Sequence, residues 1–457
     1  MIATINPATG ETVATFADHD QAEVQRRIAR AHAALGPLVA AGFAHRAVWM
    51  RRAAELIESD VEQLARTMTL EMGKPVAQAR AEALKCAKSM RFYADHAEGY
   101  LADEPLDDPS RVGASAAGAR YEPLGVILAV MPWNYPMWQV IRFAAPALMA
   151  GNAGLLKHAS NVPQTALYLD ALFERAGFPD GAFLTLLIGS GQVESVLRDD
   201  RVRAVTLTGS EPAGRSVASI AGSEVKKSLL ELGGSDPFIV MPSSDVEKAA
   251  EVAVRARAQN NGQSCVASKR FLVHTEVYDE FARLFAAGMA ALTVGDPMDE
   301  SVDVGPVATS AGRDDLVELV DDAIAKGATV LVGGRALDGP GWYYEPTVVT
   351  DLTDDMRIVM EETFGPVASL YRVADRAEAL RIANQTAFGL SSAVWTRDRE
   401  EEAFFVRELQ AGAVFVNGMT VSYPELPFGG IKNSGFGREL AAEGIREFMN
   451  VKTVWKG

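Results

Sequence analysis

The segment NNGQSCVASKR places one of two cysteines, Cys265, after Asn260, Asn261, Gly262, Gln263 and Ser264, a polar, glycine-containing turn behind a helix-like stretch. Such a turn exposes a thiol, and a thiol that ionises is a nucleophile. A single cysteine is more often a small buried filler, and Cys86, inside the helical stretch ARAEALKCAKSM, reads that way. Two residues elsewhere lift Cys265 above that level. Glu231 closes the leucine run of SLLELGG, where burial favours the neutral acid and raises its pKa towards that of a general base. Asn134, in MPWNYP, falls between a strand end and a helix opened by Pro136, so its amide is placed as an oxyanion donor. Taken singly, the glutamate would serve as a cap or strand end and the asparagine as turn chemistry.

The elements that must position these residues alternate along most of the chain. The first hundred residues read mainly helical, with Val24, Ile28, Ala31 and Leu35 at spacings of four and three, and Asp20 with Glu23 placed to cap the first helix. From Gly125 short apolar runs take over: GVILAVM, AGLLK, FLTLLIG and VRAVTLTG, separated by helical stretches such as PQTALYLDALFERAG. Strands alternating with helices imply a parallel sheet. After LLELGG the alternation restarts with PFIVM, a helix from about Val246, RFLVH, another helix, ATVLVGG, ASLYRV, SSAVW and AVFVN. The boundary between two α/β units therefore falls near Gly233 and Gly234, with Cys265 just beyond it, and the cleft between them is the place for chemistry.

Composition narrows the function classes. A chain of 457 residues with 48% hydrophobic and 23% charged residues has the balance of a globular protein large enough for at least two domains. The formal net charge of -16 repels a phosphate backbone, so nucleic acid is not an expected partner. The N-terminus MIATINPATGETVATF lacks the charged and apolar regions of a signal peptide. The greasiest stretch, from about Gly125 to Leu156, is interrupted by Pro132, Asn134, Pro136 and Arg142. The expectation is a cytoplasmic protein without membrane contact. Two cysteines and six scattered histidines offer neither a disulfide framework nor a zinc spacing, so no metal is expected.

In order and spacing, PWN, the K-x-x-x-x-x-P segment from Lys157 to Pro163, TGSEPAG, LELGG, GQSC, EETFGPV and PFGGIKNSG together resemble the aldehyde dehydrogenase superfamily over essentially the whole chain. The resemblance implies two doubly wound parallel-sheet domains plus a small oligomerisation hairpin. Residues 1-105 and 124-234 would form the dinucleotide-binding domain, with 434-448 packing back onto it, and 235-433 the catalytic domain. Residues 106-123 and 449-457 would be oligomerisation elements of a homodimer or homotetramer, the C-terminal NVKTVWKG pairing with a neighbour's sheet.

By the same resemblance Cys265 attacks the aldehyde carbon, Asn134 and the Cys265 backbone N–H hold the oxyanion, and Glu231 activates the water that hydrolyses the thioester. Trp133, Asn134, Lys157, Ser160, Gly209, Ser210, Leu232 and Glu362 would bind the cofactor. Many NAD-using relatives carry a glutamate at the position of Ser160. A small hydroxyl there beside Lys157 leaves room for a 2'-phosphate, so NADP is expected to be preferred and NAD accepted more weakly. The GSGQ turn at Gly189 lacks a third glycine for an ordinary dinucleotide fingerprint. Ala267 stands where some members carry the partner of a disulfide switch, so none is expected.

Arg142, eight residues after Asn134 in the apolar stretch WQVIRFAAPALM, needs an anionic partner. On residue type alone, a structural salt bridge or a side chain snorkelling to the surface accounts for it. The resemblance is greatest to the branch of the superfamily that oxidises succinic semialdehyde with NADP, where an arginine at this position faces the substrate. Ser264 and Ser422 would add hydrogen bonds to the substrate carboxylate. Two other readings stay open on the sequence: a broad-specificity aldehyde dehydrogenase with a structural Arg142, and a non-catalytic NADP-binding protein on the same fold.

Overall fold

The computed structural model describes residues 2–457. The chain opens with a hairpin, Ile2–Ile5 paired with Thr12–Phe16, which the helical reading of the lead-in passed over. Its turn is written in PATG: Asn6 Oδ1 accepts the N–H of Ala8, and Gly10 takes φ 76°. Helices then follow as expected. The run Gln21–Ser59 is capped by Asp20, whose carboxylate accepts the N–H of Glu23 at 2.7 Å, and breaks at Gly42, where φ is 68°. Val61–Met72 and Val76–Tyr100 complete the helical layer.

The first sheet has the order Gly435–Phe436, Lys227–Glu231, Val202–Thr208, Val126–Met131, Ala153–His158, Phe183–Thr185. Its strands are parallel except the edge strand Gly435–Phe436, which runs back antiparallel beside Glu231 and Leu230. Its central strands carry apolar residues on both faces because helices cover both, so they read as continuous runs and not as alternation. Of FLTLLIG only Phe183–Thr185 pairs, and Lys227–Glu231 is a further strand that the reading of SLLELGG did not separate out.

The second sheet has seven strands in the order Thr329–Val332, Thr347–Thr350, Val367–Val373, Arg270–His274, Pro237–Val240, Ser392–Trp395, Val414–Val416. Again only an edge strand, Thr329–Val332, is antiparallel. The helix expected from about Val246 is Val246–Ala258, with Asp245 accepting the N–H of Lys248.

A third, antiparallel sheet joins Glu104–Pro105, Ala116–Pro123 and Met449–Lys456. The C-terminal strand pairs along its whole length with its own chain, from Met449 opposite Pro123 to Lys456 opposite Ala116. Its first partner is therefore not a neighbour's sheet, and as an edge strand it keeps its outer side open. No helix of the described residues is long and apolar enough to cross a membrane.

Candidate active site

Strands join the first sheet on one side of Val126–Met131 through Phe183–Thr185, and then on the other side from Val202 onward. Ligands of open α/β sheets bind where that reversal leaves a crevice at the carboxyl ends of the strands. Trp133 and Asn134 follow Val126–Met131, and Lys157 ends Ala153–His158. Gly209 and Ser210 follow Val202–Thr208, and Glu231 with Leu232 ends Lys227–Glu231. Residues scattered over a hundred positions thus meet along one edge.

Cys265 approaches that edge from the second sheet, on the loop between Val246–Ala258 and Arg270–His274. Three successive residues of this loop are left-handed, Asn260 (φ 59°), Asn261 (φ 57°) and Gly262 (φ 69°), a conformation that asparagine and glycine tolerate best. Asn260 Nδ2 donates to the carbonyls of Asn134 and Gln263, both at 2.9 Å, and Asn261 Nδ2 to those of Gly73 and Pro306. A Cβ on Gly262 would lie 2.3 Å from the Gly365 carbonyl oxygen, so the close approach needs glycine. The buried Arg257 ties the loop from behind, donating to the carbonyls of Gly262 and Ser268. Asn134 is buried, and its Nδ2 donates to the Gln263 carbonyl at 3.1 Å.

Lys269 and Glu362 tie the Cys265 loop to the backbone at Gly234. Lys269 Nζ donates to the carbonyls of Ser264 (2.9 Å) and Cys265 (2.7 Å) and pairs with Glu362 Oε1 at 3.0 Å, which also accepts the N–H of Gly234. A Cβ on Gly233 would stand 2.4 Å from Glu362 Oε2. The Glu362 side chain can give way there, but a Cβ on Gly234 would stand 2.8 Å from the Cys265 backbone carbonyl oxygen, so close backbone approach favours glycine at Gly234.

Cys265, Ser264, Arg142 and Ser422 line one cavity. Burial pushes the Cys265 thiol up to about 12, with Arg142 and Lys269 acting against it. Glu231 is 2% exposed, and neither carboxylate oxygen has a hydrogen-bond donor. Burial raises it to about 8, Arg142 opposing the shift and Glu439 adding to it. The direction is the one expected of a carboxylate buried behind a leucine run.

Arg142 reaches the cavity from Trp138–Ala150, a helix that starts two residues after Pro136 and not at it. It brings a counter-ion. Its Nε is paired with the buried Glu439, close in distance although not aligned as a hydrogen bond, and its guanidinium lies 4.6 Å from the centroid of Phe428. Glu439 is the anionic partner that a buried cation demands. Ser422 Oγ accepts from Trp138 Nε1 at 3.0 Å.

On the other side of the strand edge, Trp133 packs with Met72, Val162 and Ala308 and stands edge-on to Phe364. Lys157 is 9% exposed, and burial lowers its pKa. Ser210 is the N-cap of Glu211–Ser223 without using its side chain for capping, which leaves a hydroxyl and a helix N-terminus for an anion. Leu232 is buried against Gly214 of that helix. The helix after Ser160, Pro163–Arg175, has Val162 at its N-cap, without a capping side chain. The N–H groups of Gln164 and Thr165 are met instead by Glu71. The Ser160 side chain is therefore free of capping.

Reading the sequence missed Lys269, Arg257, Glu439, Glu71 and the pair Lys74 and Glu82. Glu82 is ion-paired to Lys74 and accepts the N–H groups of Met137 and Trp138, both at 2.9 Å, which fixes the start of the helix after Asn134. The available signal was position: Glu82 falls on the stripe Ala79, Ala83, Cys86, Met90 that is buried in Val76–Tyr100.

Comparison with known proteins agrees with this geometry. The model of the aldehyde dehydrogenase family matches residues 1–454. A protein of Mycobacterium tuberculosis (strain H37Rv) named succinate-semialdehyde dehydrogenase [NADP(+)] 1 is 62% identical over 454 residues, 99% of each chain. One of Mycobacterium avium (strain 104), also named succinate-semialdehyde dehydrogenase [NADP(+)], is 62% identical over 457 residues, 100% of this chain and 97% of its own. The crystal structure of succinic semialdehyde dehydrogenase from Streptococcus pyogenes in complex with NADP+ superposes with a TM-score of 0.96 at 35% identity, covering 100% of this chain and 99% of that one. Match, fold and site together place the chain in the aldehyde dehydrogenase family.

Proposed function

We propose that the protein oxidises succinic semialdehyde to succinate and reduces NADP. The observation that carries this reading is a single cavity in which Cys265 shares its walls with Arg142, Ser264 and Ser422, a nucleophile facing groups suited to a carboxylate. The names of relatives 62% identical over almost the whole chain support the same substrate and cofactor.

In this reading the Cys265 thiolate attacks the aldehyde carbon. The oxyanion is held by the second N–H of the Asn134 amide and the Cys265 backbone N–H. NADP, when bound, would supply the hydride acceptor needed for the thiohemiacetal to become a thioester. Glu231 then takes a proton from water attacking the thioester, and Cys265 leaves as thiolate. Lys157 and Ser160 would hold the 2'-phosphate of the cofactor, Gly209 and Ser210 its pyrophosphate, and Glu362 its nicotinamide ribose, with Trp133 and Leu232 as walls. The donor set fits such a group: Lys157 is a buried cation with no acidic partner within 4.0 Å among the described residues, and Ser210 has an unused hydroxyl at a helix N-terminus.

The domain division at Gly233 and Gly234, a homodimer or homotetramer and a cytoplasmic location belong to the same reading. The open edge of Met449–Lys456, with Val451 and Trp455 exposed, supports the oligomer.

The test is nicotinamide reduction followed by absorbance, with succinic semialdehyde and butyraldehyde, each offered NADP and NAD. Succinic semialdehyde with NADP is expected to give the highest kcat/KM. Equal use of butyraldehyde would leave a dehydrogenase without carboxylate selection.

A further inference from the structure

The cavity in front of Cys265 holds a second cation. Lys85, on the helix Val76–Tyr100, lines the same walls as Cys265, Ser264 and Arg142. Its Nζ lies 4.0 Å from the centroid of the Trp138 ring and donates to Ser422 Oγ at 2.8 Å. Among the described residues no carboxylate lies within 4.0 Å of it. Glu82, one turn back on the same helix, is already engaged by Lys74 and by two backbone N–H groups. Arg142 differs in having Glu439. Of the two cations on this cavity, Lys85 is thus the one whose charge is unmatched.

Two further features suit these groups to an anion. Burial lowers the Lys85 ammonium to about 8, the expected effect on a cation removed from water without a full counter-charge. Ser422 Oγ accepts from both Lys85 Nζ and Trp138 Nε1, which occupies both its lone pairs, so its own proton is available to a third group.

Resting on the reading that the substrate carries a carboxylate, we propose that Lys85, with the hydroxyl of Ser422 beside it, receives that carboxylate and determines specificity, supplying the charge that Arg142 shares with Glu439.

The experiment compares wild type, Lys85→Met and Lys85→Arg with succinic semialdehyde and butyraldehyde under saturating NADP. Methionine keeps the contact with Trp138 and removes the charge together with the hydrogen bond to Ser422. Lys85→Met should raise KM for succinic semialdehyde about tenfold or more, lower butyraldehyde kcat/KM by a clearly smaller factor, and be partly rescued by arginine. Equal losses with both aldehydes, or no loss with either, overturn the proposal. If the wild type selects succinic semialdehyde while Lys85→Met keeps that selectivity, the substrate reading stands and the role of Lys85 falls. If the wild type shows no selectivity, both fall. A measurement on wild type alone guards against misfolded variants. Labelling of Lys85 by acetic anhydride, read by peptide mass spectrometry, should fall severalfold with saturating succinate and not with butyramide. Equal labelling with both overturns the proposal.

Discussion

Hydrolysis of the acyl-enzyme should follow the ionisation of Glu231, and the structure sets both the pH range and the size of the effect. Glu231 has no hydrogen-bond donor on either oxygen, and burial raises it to about 8. Only the anion can take a proton from water. The ionised fraction is then about one-tenth at pH 7 and about nine-tenths at pH 9, so hydrolysis should accelerate by close to tenfold over that interval. Steady-state turnover cannot isolate this, because the Cys265 thiol, at about 12, also ionises further as pH rises. The assay is therefore a single turnover: load Cys265 from stoichiometric aldehyde and NADP, quench in acid, and count acylated protein by intact mass. Glu231→Gln should slow decay of the acyl-enzyme by about 10²- to 10⁴-fold and abolish its pH dependence. Glu439→Gln gives an independent sign. Glu439 raises the pKa of Glu231, and its removal also frees Arg142 to act on Glu231, so the midpoint should move to lower pH. A rate flat from pH 7 to 9 in the wild type, or a rise that survives in Glu231→Gln, would refute the assignment of the base.

Two further predictions concern the cofactor and the frame. Ser160→Glu puts a carboxylate beside Lys157, where it repels a 2'-phosphate and can accept from ribose hydroxyls. The ratio of kcat/KM for NADP over NAD should fall by about tenfold or more, and an unchanged ratio would remove Ser160 from the cofactor site. Glu71 accepts from the N–H of Gln164, the N–H and Oγ1 of Thr165, and the Oγ1 of Thr4, and so caps Pro163–Arg175 from outside. Each Glu71 oxygen accepts from two of those donors, so Glu71→Gln sets an amide NH₂ against two of them. It should cost about 1–3 kcal/mol and lower Tm in a thermal melt, an unchanged Tm showing that the cap is dispensable.

What was legible in the sequence divides along a physical line. Runs such as GVILAVM and RFLVH need only be apolar on both faces to become buried parallel strands, a local property that composition reveals. The hairpin at Ile2–Ile5 has neither a long run nor a buried second strand, so its pattern is weak. The placement of Cys265, Glu231 and Asn134 was readable because turns and strand ends carry their own signals, in NNGQSC, LELGG and PWN. Buried charge was the hard part, since what a charged side chain does depends on a partner that the chain brings in from elsewhere. Arg142 shows the difficulty. Its need for an anion follows from the apolar run around it, but sequence offers two candidates, a structural acid and a substrate carboxylate. The structure supplies the first in Glu439. Lys85 is the complementary case. In ARAEALKCAKSM it looks like one more solvated lysine on a helix, and only the fold brings Trp138 and Ser422 against it with no acid alongside. A carboxylate specificity that was read from the sequence on one cation is therefore better sought on two, and the unpaired one should respond more strongly to loss of the substrate's charge.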